Sequence, residues 1–522
     1  MLNAQPHGVH HADQLFRIGI AGSRRWPKRI MRRRKLPGLH QIAGLLDFGP
    51  GWQRRSHRQA GHGQRHRDQN RFPSLAHVLS CVVLTLGPCT GAALAEELQL
   101  PPSLGPGDFL PVDPAQAELG RLLFYDKILS GNRNISCGTC HHPRHGTSDG
   151  LSLGLGEGAE GLGPARLSGS GANRVQKRVP RNAPGLWNLG ATSIRVLMHD
   201  GRISADPIYG NGFNTPAEEW LPKGLQSLLA AQALFPMTSS VEMAGNVGEN
   251  EVIGATRDRI DLAWPIIAKR VRSLPTYGEG FVAAFDHIAA PEDVKVTDIA
   301  EALAQFMVQD FTSIDSLFDA YLAGDDAALT SQQKAGADLF FGSAGCSGCH
   351  AGALFSDQGF HALGLPSFGP GRARRFDPYA RDVGRMGESD DLADAYRFRT
   401  PMLRNVELTG PYGHNGAFST LEQMIRHHLD PAASRAAWSP EDLKLPEVPW
   451  LAATDFVVQQ DRFEMARQAL ARDIYLRQDL SDQDIAALVA FLTALTGEKA
   501  RAQASFVPPT VPSGLPVDGA KR

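Results

Sequence analysis

The apolar residues of this chain recur three and four positions apart in four clear segments, a spacing that predicts amphipathic helices. These segments cover residues 113–125, 297–322, 331–341 and 481–495. Asp113 suits the N-cap of the first helix, with Pro114 in its first turn, and Thr297 is the expected cap of the second. Ser481 and Asp484 have the spacing of a capping box at the fourth. Alternating, strand-like stretches are weak, so the pattern predicts a mainly α-helical fold.

Glycine-rich and proline-rich stretches separate these helices, and the chain contains 54 glycines and 35 prolines. The stretch 146–171 is a predicted long loop, and residues 501–522 are expected to form a loose tail. Residues 1–74 are rich in Arg, His and Gly and show little periodicity. We expect a disordered or non-native extension there, because such basic runs are usually solvated.

An apolar run from Leu75 to Leu94 follows this basic region and ends in Ala93-Leu94-Ala95. A basic flank, an apolar core and an A-x-A end are typical of a secretory signal peptide. Residues 75–95 are therefore a predicted signal peptide cleaved after Ala95, with an uncleaved anchor as the alternative. The rest of the sequence has no apolar run long enough to span a membrane.

The overall composition is that of an ordinary globular protein, with 42% hydrophobic and 21% charged residues. A formal net charge of −2 gives no basis for binding nucleic acid. At about 150 residues per domain, the 522 residues allow two to four domains.

Two copies of Cys-x-x-Cys-His carry the candidate chemistry: Cys137-Gly-Thr-Cys140-His141 and Cys346-Ser-Gly-Cys349-His350. This spacing suits covalent haem attachment, in which two thiols add to the vinyl groups and the adjacent histidine ligates the iron. The chain has six cysteines, and the other two, Cys81 and Cys89, fall in the predicted signal peptide. Each motif follows one of the predicted helices, so the two halves repeat one plan.

The cysteine pairs have two other interpretations. A redox dithiol normally lies at a helix N-terminus after a strand, and neither copy follows a strand pattern. A four-cysteine zinc site would combine the two pairs but would leave the histidine after each pair unexplained. We therefore predict two covalently bound haem c groups.

Several further blocks, taken in order, make the chain resemble the bacterial dihaem cytochrome c peroxidases and their MauG-like relatives over residues 113–497. The blocks are Leu119-Gly-Arg-Leu-Leu-Phe-Tyr-Asp, Arg181-Asn-Ala-Pro184, His199-Asp-Gly-Arg202, Val241-Glu242-Met243, Phe398-Arg-Thr-Pro401-Met-Leu-Arg-Asn405, Pro411-Tyr-Gly-His-Asn-Gly416 and Thr420-Leu-Glu422. The resemblance implies two cytochrome c-like haem domains with long loops. Residues 96–325 would carry a peroxidatic haem on His141, and residues 326–500 an electron-transfer haem on His350.

The resemblance also implies roles for two further side chains. Glu242 matches the catalytic glutamate of the family, an acid/base group that moves a proton between the peroxide oxygens. His428 matches the position of the sixth iron ligand of the haem on His350. His427 and Met424 are the alternatives for that ligand.

The chain departs from many family peroxidases at two places. The loop after the first motif has no histidine before His199, and His142 and His145 lie too close to the motif to replace one. The resemblance then implies that the iron on His141 is open at rest, as in MauG-like proteins. His199 itself stands where the family commonly has a tryptophan between the haems.

The resemblance implies a periplasmic peroxidase that reduces hydrogen peroxide to water with electrons from a small donor protein, a cytochrome c or a cupredoxin. The alternatives are a MauG-like oxidase that modifies a residue of a partner protein, and a non-catalytic dihaem electron carrier. The family also implies a homodimer and a calcium ion held by Asn182 and by carbonyls near Thr400. Insertions around 150–175 and 205–235 would form a partner surface or cover the peroxidatic site.

Overall fold

The computed structural model describes residues 99–372, 380–474, 476, 479–502 and 506–520. The predicted extension over 1–74 and the predicted signal peptide over 75–95 lie outside the described residues.

The described part of the chain is mostly helical, with two small antiparallel sheets, as the apolar pattern predicts. The helices are α1 Pro114–Tyr125, α2 Cys137–Cys140, α3 Leu228–Ala233, α4 Glu251–Thr256, α5 Trp264–Arg272, α6 Pro275–Ala284, α7 Val296–Asp310, α8 Leu317–Leu322, α9 Ser331–Phe341, α10 Met386–Ser389, α11 Leu421–Leu429, α12 Pro431–Ala437, α13 Ala452–Asp455, α14 Arg462–Leu470, α15 Asp482–Ala494 and α16 Glu498–Arg501. The strands are β1 Val196–Leu197, β2 Ile203–Ala205, β3 Phe213–Asn214, β4 Phe360–His361 and β5 Phe398–Arg399. Short 3₁₀ turns and one π-helical turn, Ser240–Ala244, connect them.

The same helix crossing occurs once in each half of the chain. Helix α1 crosses α7 so closely that a Cβ on Gly120 would lie 1.8 Å from the carbonyl oxygen of Ala302. Helix α9 crosses α15 in the same way, with a Cβ on Gly336 placed 2.0 Å from the carbonyl oxygen of Ala487. Each crossing therefore requires glycine on the helix that precedes a cysteine motif.

Two hydrophobic clusters surround these crossings. The larger one includes Leu123, Phe124 and Phe306 from the first crossing, and the smaller one includes Phe340 and Phe491 from the second. Burial of such side chains contributes roughly 25 cal/mol for each Å² of apolar surface removed from water. The repeated crossing and its own cluster agree with the repeated plan of the sequence.

The helix predicted over 297–322 is two helices. Helix α7 begins at Val296 with Lys295 as its N-cap, so Thr297 lies in the first turn and is not the cap. The chain leaves the helix after Asp310, and Ser316 begins α8 with a capping box. Phe318 of α8 is buried in the smaller cluster, so the apolar core of the second half begins before the boundary expected at 325/326.

The prediction of a loose tail over 501–522 is wrong for residues 506–520, which we call the C-terminal strap. Phe506 and Val511 of the strap are buried in the larger cluster. The Asp518 carboxylate accepts hydrogen bonds from Thr139 Oγ1 at 2.6 Å and from Lys127 Nζ at 2.7 Å. The composition of this segment indicates a loop, but composition does not show the partners that fix it.

The glycine-rich stretch 146–171 is a long loop, as predicted, but its apolar residues Leu151, Leu153 and Leu155 are fully buried. Among the residues that the structure describes, no helix has both the length and the apolar character that crossing a bilayer requires.

Candidate functional site

The first cysteine motif forms the single turn α2, whose N-cap backbone N–H, on Ser136, donates to Thr139 Oγ1. Both of its thiols, on Cys137 and Cys140, are free and line a large cavity, and burial raises their pKa to about 12. His141 Nδ1 donates to the carbonyl of Thr147 at 3.0 Å. That bond leaves Nε2 of His141 as the nitrogen with a lone pair, the arrangement a histidine needs in order to ligate a metal.

The second motif repeats this arrangement on a 3₁₀ turn. His350 Nδ1 donates to the carbonyl of Phe355 at 3.0 Å, so its Nε2 also carries the lone pair. Cys346, Cys349 and His350 line the same cavity as the first motif. Two apolar side chains from the second crossing, Phe340 and Leu488, lie beside them on its wall.

The four motif cysteines do not gather around one point. Within the described residues, the only group of three or more metal-ligating side chains is Cys349, Asp357 and His361. A zinc site that combines the two cysteine pairs therefore has no support in the structure.

His428 faces His350 in the part of the cavity that the second motif lines, and the centroids of the two rings are 6.5 Å apart. Two imidazoles that ligate one ion from opposite sides place their centroids about 6 Å apart, since each metal–nitrogen bond is about 2 Å. His428 Nδ1 donates to the carbonyl of Met424 at 2.8 Å, which leaves its Nε2 for a metal. The separation of the two rings thus fits a bis-histidine iron.

His427 is used differently, although it is the neighbouring residue on α11. Its Nε2 donates to the carbonyl of Leu363 at 2.9 Å, and its Nδ1 contacts Ser434 Oγ at 3.1 Å. Both ring nitrogens are therefore engaged by protein groups. The ring is fully buried and does not line the cavity.

Glu242 lies on the π-helical turn Ser240–Ala244 and lines the cavity together with Cys140 and His141. Burial raises the pKa of Glu242, and the charges of Arg202 and Arg372 oppose that rise. A raised pKa favours the protonated form of a carboxyl group. The side chain is thus suited to give and take a proton inside the cavity.

Backbone contacts hold this turn in place. The N–H of Gly131 donates to the carbonyl of Met243 at 2.8 Å, and the N–H of Glu157 donates to the carbonyl of Val241 at 3.1 Å. A Cβ on Gly156 would lie 2.0 Å from the same Val241 oxygen. The histidine-free loop after the first motif therefore packs directly against the turn that carries the glutamate.

His199 lines the cavity, and its Nε2 donates to the carbonyl of Asn182 at 3.1 Å. Burial and the nearby charge of Arg181 lower the pKa of His199 to about 4, so the ring is neutral at physiological pH. Its backbone carbonyl accepts from the N–H of Arg399 at 2.8 Å, which ties it to the block 398–401.

A buried ion-pair network beside His199 was not anticipated from the sequence. Arg181 pairs with Asp200 at 2.6 Å and with Asp382 at 2.7 Å, while Arg202 pairs with Asp200 at 3.0 Å. The Arg181 guanidinium holds the pKa of Asp382 below its usual range, against the opposing effect of burial. Three of the four residues lie in the blocks 181–184 and 199–202. The charged residues of those blocks were therefore the sequence feature that could have indicated a buried ion-pair network.

The calcium prediction needs oxygens from Asn182 and Thr400. Asn182 Nδ2 donates to the carbonyl of Leu151 at 2.8 Å. The carbonyl of Thr400 already accepts from Ser356 Oγ at 2.7 Å and from Arg399 Nη1 at 3.2 Å. Calcium remains a prediction from the resemblance.

The cavity fits two haem groups by the chemistry of its wall. It presents two thiols and one histidine with an available Nε2 at each motif, and its wall is mainly apolar. Trp187 is 3% exposed and lines the cavity, yet its Nε1 has no hydrogen-bond partner among the described residues. A buried donor without a partner indicates a ligand or water that satisfies it.

Comparison with known proteins gives the same assignment. The family model for di-haem cytochrome c peroxidases matches residues 114–327. The chain is 30% identical over 369 residues to the cytochrome-c peroxidase IdrP1 of Denitromonas iodatirespirans, and this match covers 65% of the chain and 80% of that relative. It is 28% identical over 352 residues to the methylamine utilization protein MauG of Methylorubrum extorquens, covering 67% and 78% of the two proteins.

Among solved structures, the chain is similar to the diheme peroxidase BthA from Burkholderia thailandensis, with a TM-score of 0.51 and 21% sequence identity. That match covers 80% of this chain and 94% of the other, and at this identity it concerns the fold alone. The sequence matches concern the family, since the relatives include both a cytochrome-c peroxidase and a MauG protein. The chain belongs to the di-haem cytochrome c peroxidase family, and it is an oxidoreductase with two haem c groups.

Proposed function

We propose that this chain is a periplasmic di-haem peroxidase that reduces hydrogen peroxide to water with electrons from a small redox protein. The reaction consumes two electrons and two protons, breaks the O–O bond and releases two molecules of water. Each half of the chain would form a cytochrome c-like haem domain. When bound, the two haems supply the redox chemistry, one accepting electrons from the donor and the other delivering them to peroxide.

The observation that carries this proposal is the position of Glu242. It lines the cavity beside Cys140 and His141, and burial raises its pKa. Heterolysis of peroxide requires a proton to move from the inner to the outer oxygen, and a positioned acid/base group contributes roughly 10²–10⁴-fold to such a transfer. Glu242 would hold that proton and deliver it.

The remaining site residues would bind and position the haems. Cys137 and Cys140 would hold the first haem by thioether bonds, and His141 would ligate its iron. Cys346 and Cys349 would hold the second. His350 and His428 would both ligate that iron, which favours a role in electron relay over one in substrate binding. His199 would lie between the haems, where its neutral ring is held by Asn182.

Steady-state peroxide reduction by the purified dihaem protein, with reduced cytochrome c as donor, tests the proposal. Glu242→Gln keeps the size of the side chain but removes the acid/base group, so we expect kcat to fall roughly 10²–10⁴-fold with both haems still attached. Glu160→Gln, which changes an exposed carboxylate of the same domain, is the matched control and should turn over normally. Undiminished turnover in the Glu242 variant would remove this residue from the mechanism.

A MauG-like oxidase is the second candidate, and the histidine-free loop favours it. Residues 146–198 contain no histidine, and their apolar side chains Leu151, Leu153 and Leu155 are buried near the glutamate turn. The relative from Methylorubrum extorquens is itself a MauG protein. Negligible donor oxidation, with peroxide still shifting the haem bands, would select this candidate. A non-catalytic carrier would show neither response.

A further inference from the structure

Arg399 is an arginine of the cavity wall without an acidic partner. It lies on β5, and its side chain lines the cavity beside His199. Its Nε donates to the carbonyl of Met198 at 3.3 Å, and its Nη1 donates to the carbonyl of Thr400 at 3.2 Å. Both acceptors are neutral and both contacts are long. Within the described residues, no carboxylate lies within 4.0 Å of this guanidinium.

Among the described residues, three of the four buried arginines, Arg178, Arg181 and Arg404, pair with carboxylates, and the fourth, Arg166, donates to three backbone carbonyls at 2.6–3.1 Å. Arg181 makes two bonds to Asp382 at 2.7 and 2.8 Å. Arg404 makes two bonds to Asp319 at 2.8 and 2.9 Å, and it also lines the cavity. A guanidinium stays charged in proteins, so removing one from water without an anion is costly. Within the described residues, Arg399 has neither a carboxylate partner nor a third carbonyl, which leaves N–H donors for an anion from outside the chain.

The N–H groups of Arg399 that have no partner among the described residues suit a carboxylate. A guanidinium carries five N–H donors, of which the two carbonyl contacts use one on Nε and one on Nη1. The second hydrogen of Nη1 and both hydrogens of Nη2 remain. A carboxylate can accept from two such N–H donors at once. Burial lowers the pKa of Arg399 to about 10, with no nearby charge to offset the desolvation.

We propose that Arg399 binds a propionate carboxylate of one of the two haems. The propionates are the anionic groups of haem c, and the thiols that would attach both haems line the same cavity as Arg399. The contacts to the carbonyls of Met198 and Thr400 leave three N–H donors of the guanidinium for the carboxylate. The proposal rests on the two haem groups and is independent of whether the chain reduces peroxide.

Spectroelectrochemical titration of both haems, repeated over a range of pH, tests this pairing. Arg399→Gln removes a positive charge beside the propionate, so the oxidised iron is stabilised and the midpoint potential of one haem should fall. The propionate pKa should rise, which moves the pH-dependent part of that potential to higher pH. A shift in the low-spin couple assigns the propionate to the haem on His350, and a shift in the other couple assigns it to the haem on His141.

Arg435→Gln is the matched control. Arg435 also donates to two backbone carbonyls, those of Gly364 and Leu365, but it does not line the cavity. Its loss should leave both potentials unchanged. Unchanged potentials and unchanged pH dependence in Arg399→Gln would overturn the proposal, whatever the peroxide turnover of the variant.

A second variant decides the matter if Arg399→Gln does not retain both haems. Arg399→Lys keeps the charge but replaces the two-pronged contact with a single ammonium. The propionate-bending band in the resonance Raman spectrum should therefore move in this variant relative to the unchanged protein. A band that stays in place would overturn the pairing.

Discussion

Replacing Gly120 with alanine should destabilise the first helix crossing. Alanine is normally the better helix former, by about 1 kcal/mol. Here the added Cβ would lie 1.8 Å from the Ala302 carbonyl oxygen and 2.9 Å from the Cβ of Phe306. Ordinary contacts between heavy atoms are about 3.5 Å or longer. The first neighbour is backbone, so it cannot rotate away, and helices α1 and α7 must move apart.

The expected magnitude follows from these opposing effects. Overpacking of a buried contact costs typically about 1–3 kcal/mol, and a clash with backbone belongs at the upper end of that range. After the gain in helix propensity, we expect the free energy of unfolding to fall by about 2 kcal/mol. For a domain of about 200 residues this corresponds to a drop of roughly 4–8 °C in Tm.

Thermal unfolding of the purified dihaem protein, followed by far-ultraviolet circular dichroism, measures the effect. Gly254→Ala in α4 is the matched control, because a Cβ there would meet no atom within 4 Å. That variant should gain about 0.5–1 kcal/mol from propensity alone. Gly336→Ala should behave like Gly120→Ala. If Gly120→Ala is as stable as the unchanged protein, the helices can separate at little cost and the argument from close approach is wrong.

Two further predictions concern the second haem and the pH dependence of stability. His428→Ala should abolish the low-spin bis-histidine spectrum, while His427→Gln should leave that spectrum in place; the reverse result would exchange the two assignments. Burial raises the pKa of Glu301 to about 7, against about 4.3 for an unfolded glutamate. The folded protein therefore binds the extra proton between about pH 4 and 7, and its stability falls as the pH rises through that window. Glu301→Gln keeps the oxygen that accepts from Gln226 N and should remove this fall, measured by denaturant unfolding at pH 5 and pH 8; an identical pH dependence in both proteins would contradict it.

The parts of the fold that depend on local sequence were predictable. Asp113 caps α1 by accepting from the N–H groups of Ala115 and Gln116, and Ser481 caps α15 with Asp484 in a capping box. These contacts join residues a few positions apart, so spacing alone indicates them. The two Cys-x-x-Cys-His motifs are local in the same sense, since their chemistry is contained in five residues.

The remaining features depend on partners far along the chain. The choice between His427 and His428 depends on the carbonyl of Leu363, which engages one ring and not the other. The end of α7 at Asp310 and the packing of Phe318 depend on which cluster each helix joins. No periodicity encodes contacts of this kind, so the sequence shows the residues of the site but not their pairing.

The C-terminal strap imposes an order on the maturation of the chain. Its contact between Asp518 and Thr139 joins residues 379 positions apart, and Thr139 lies between the two thiols of the first motif. Closing a loop of that length costs roughly 5 kcal/mol in chain entropy, so the strap settles only after the intervening residues have folded. The contact that fixes the strap to the first motif therefore forms late, after most of the chain is in place. A fusion placed after residue 520 would also lie beside this motif, so a cleavable fusion is the safer choice for preparing the fully loaded protein.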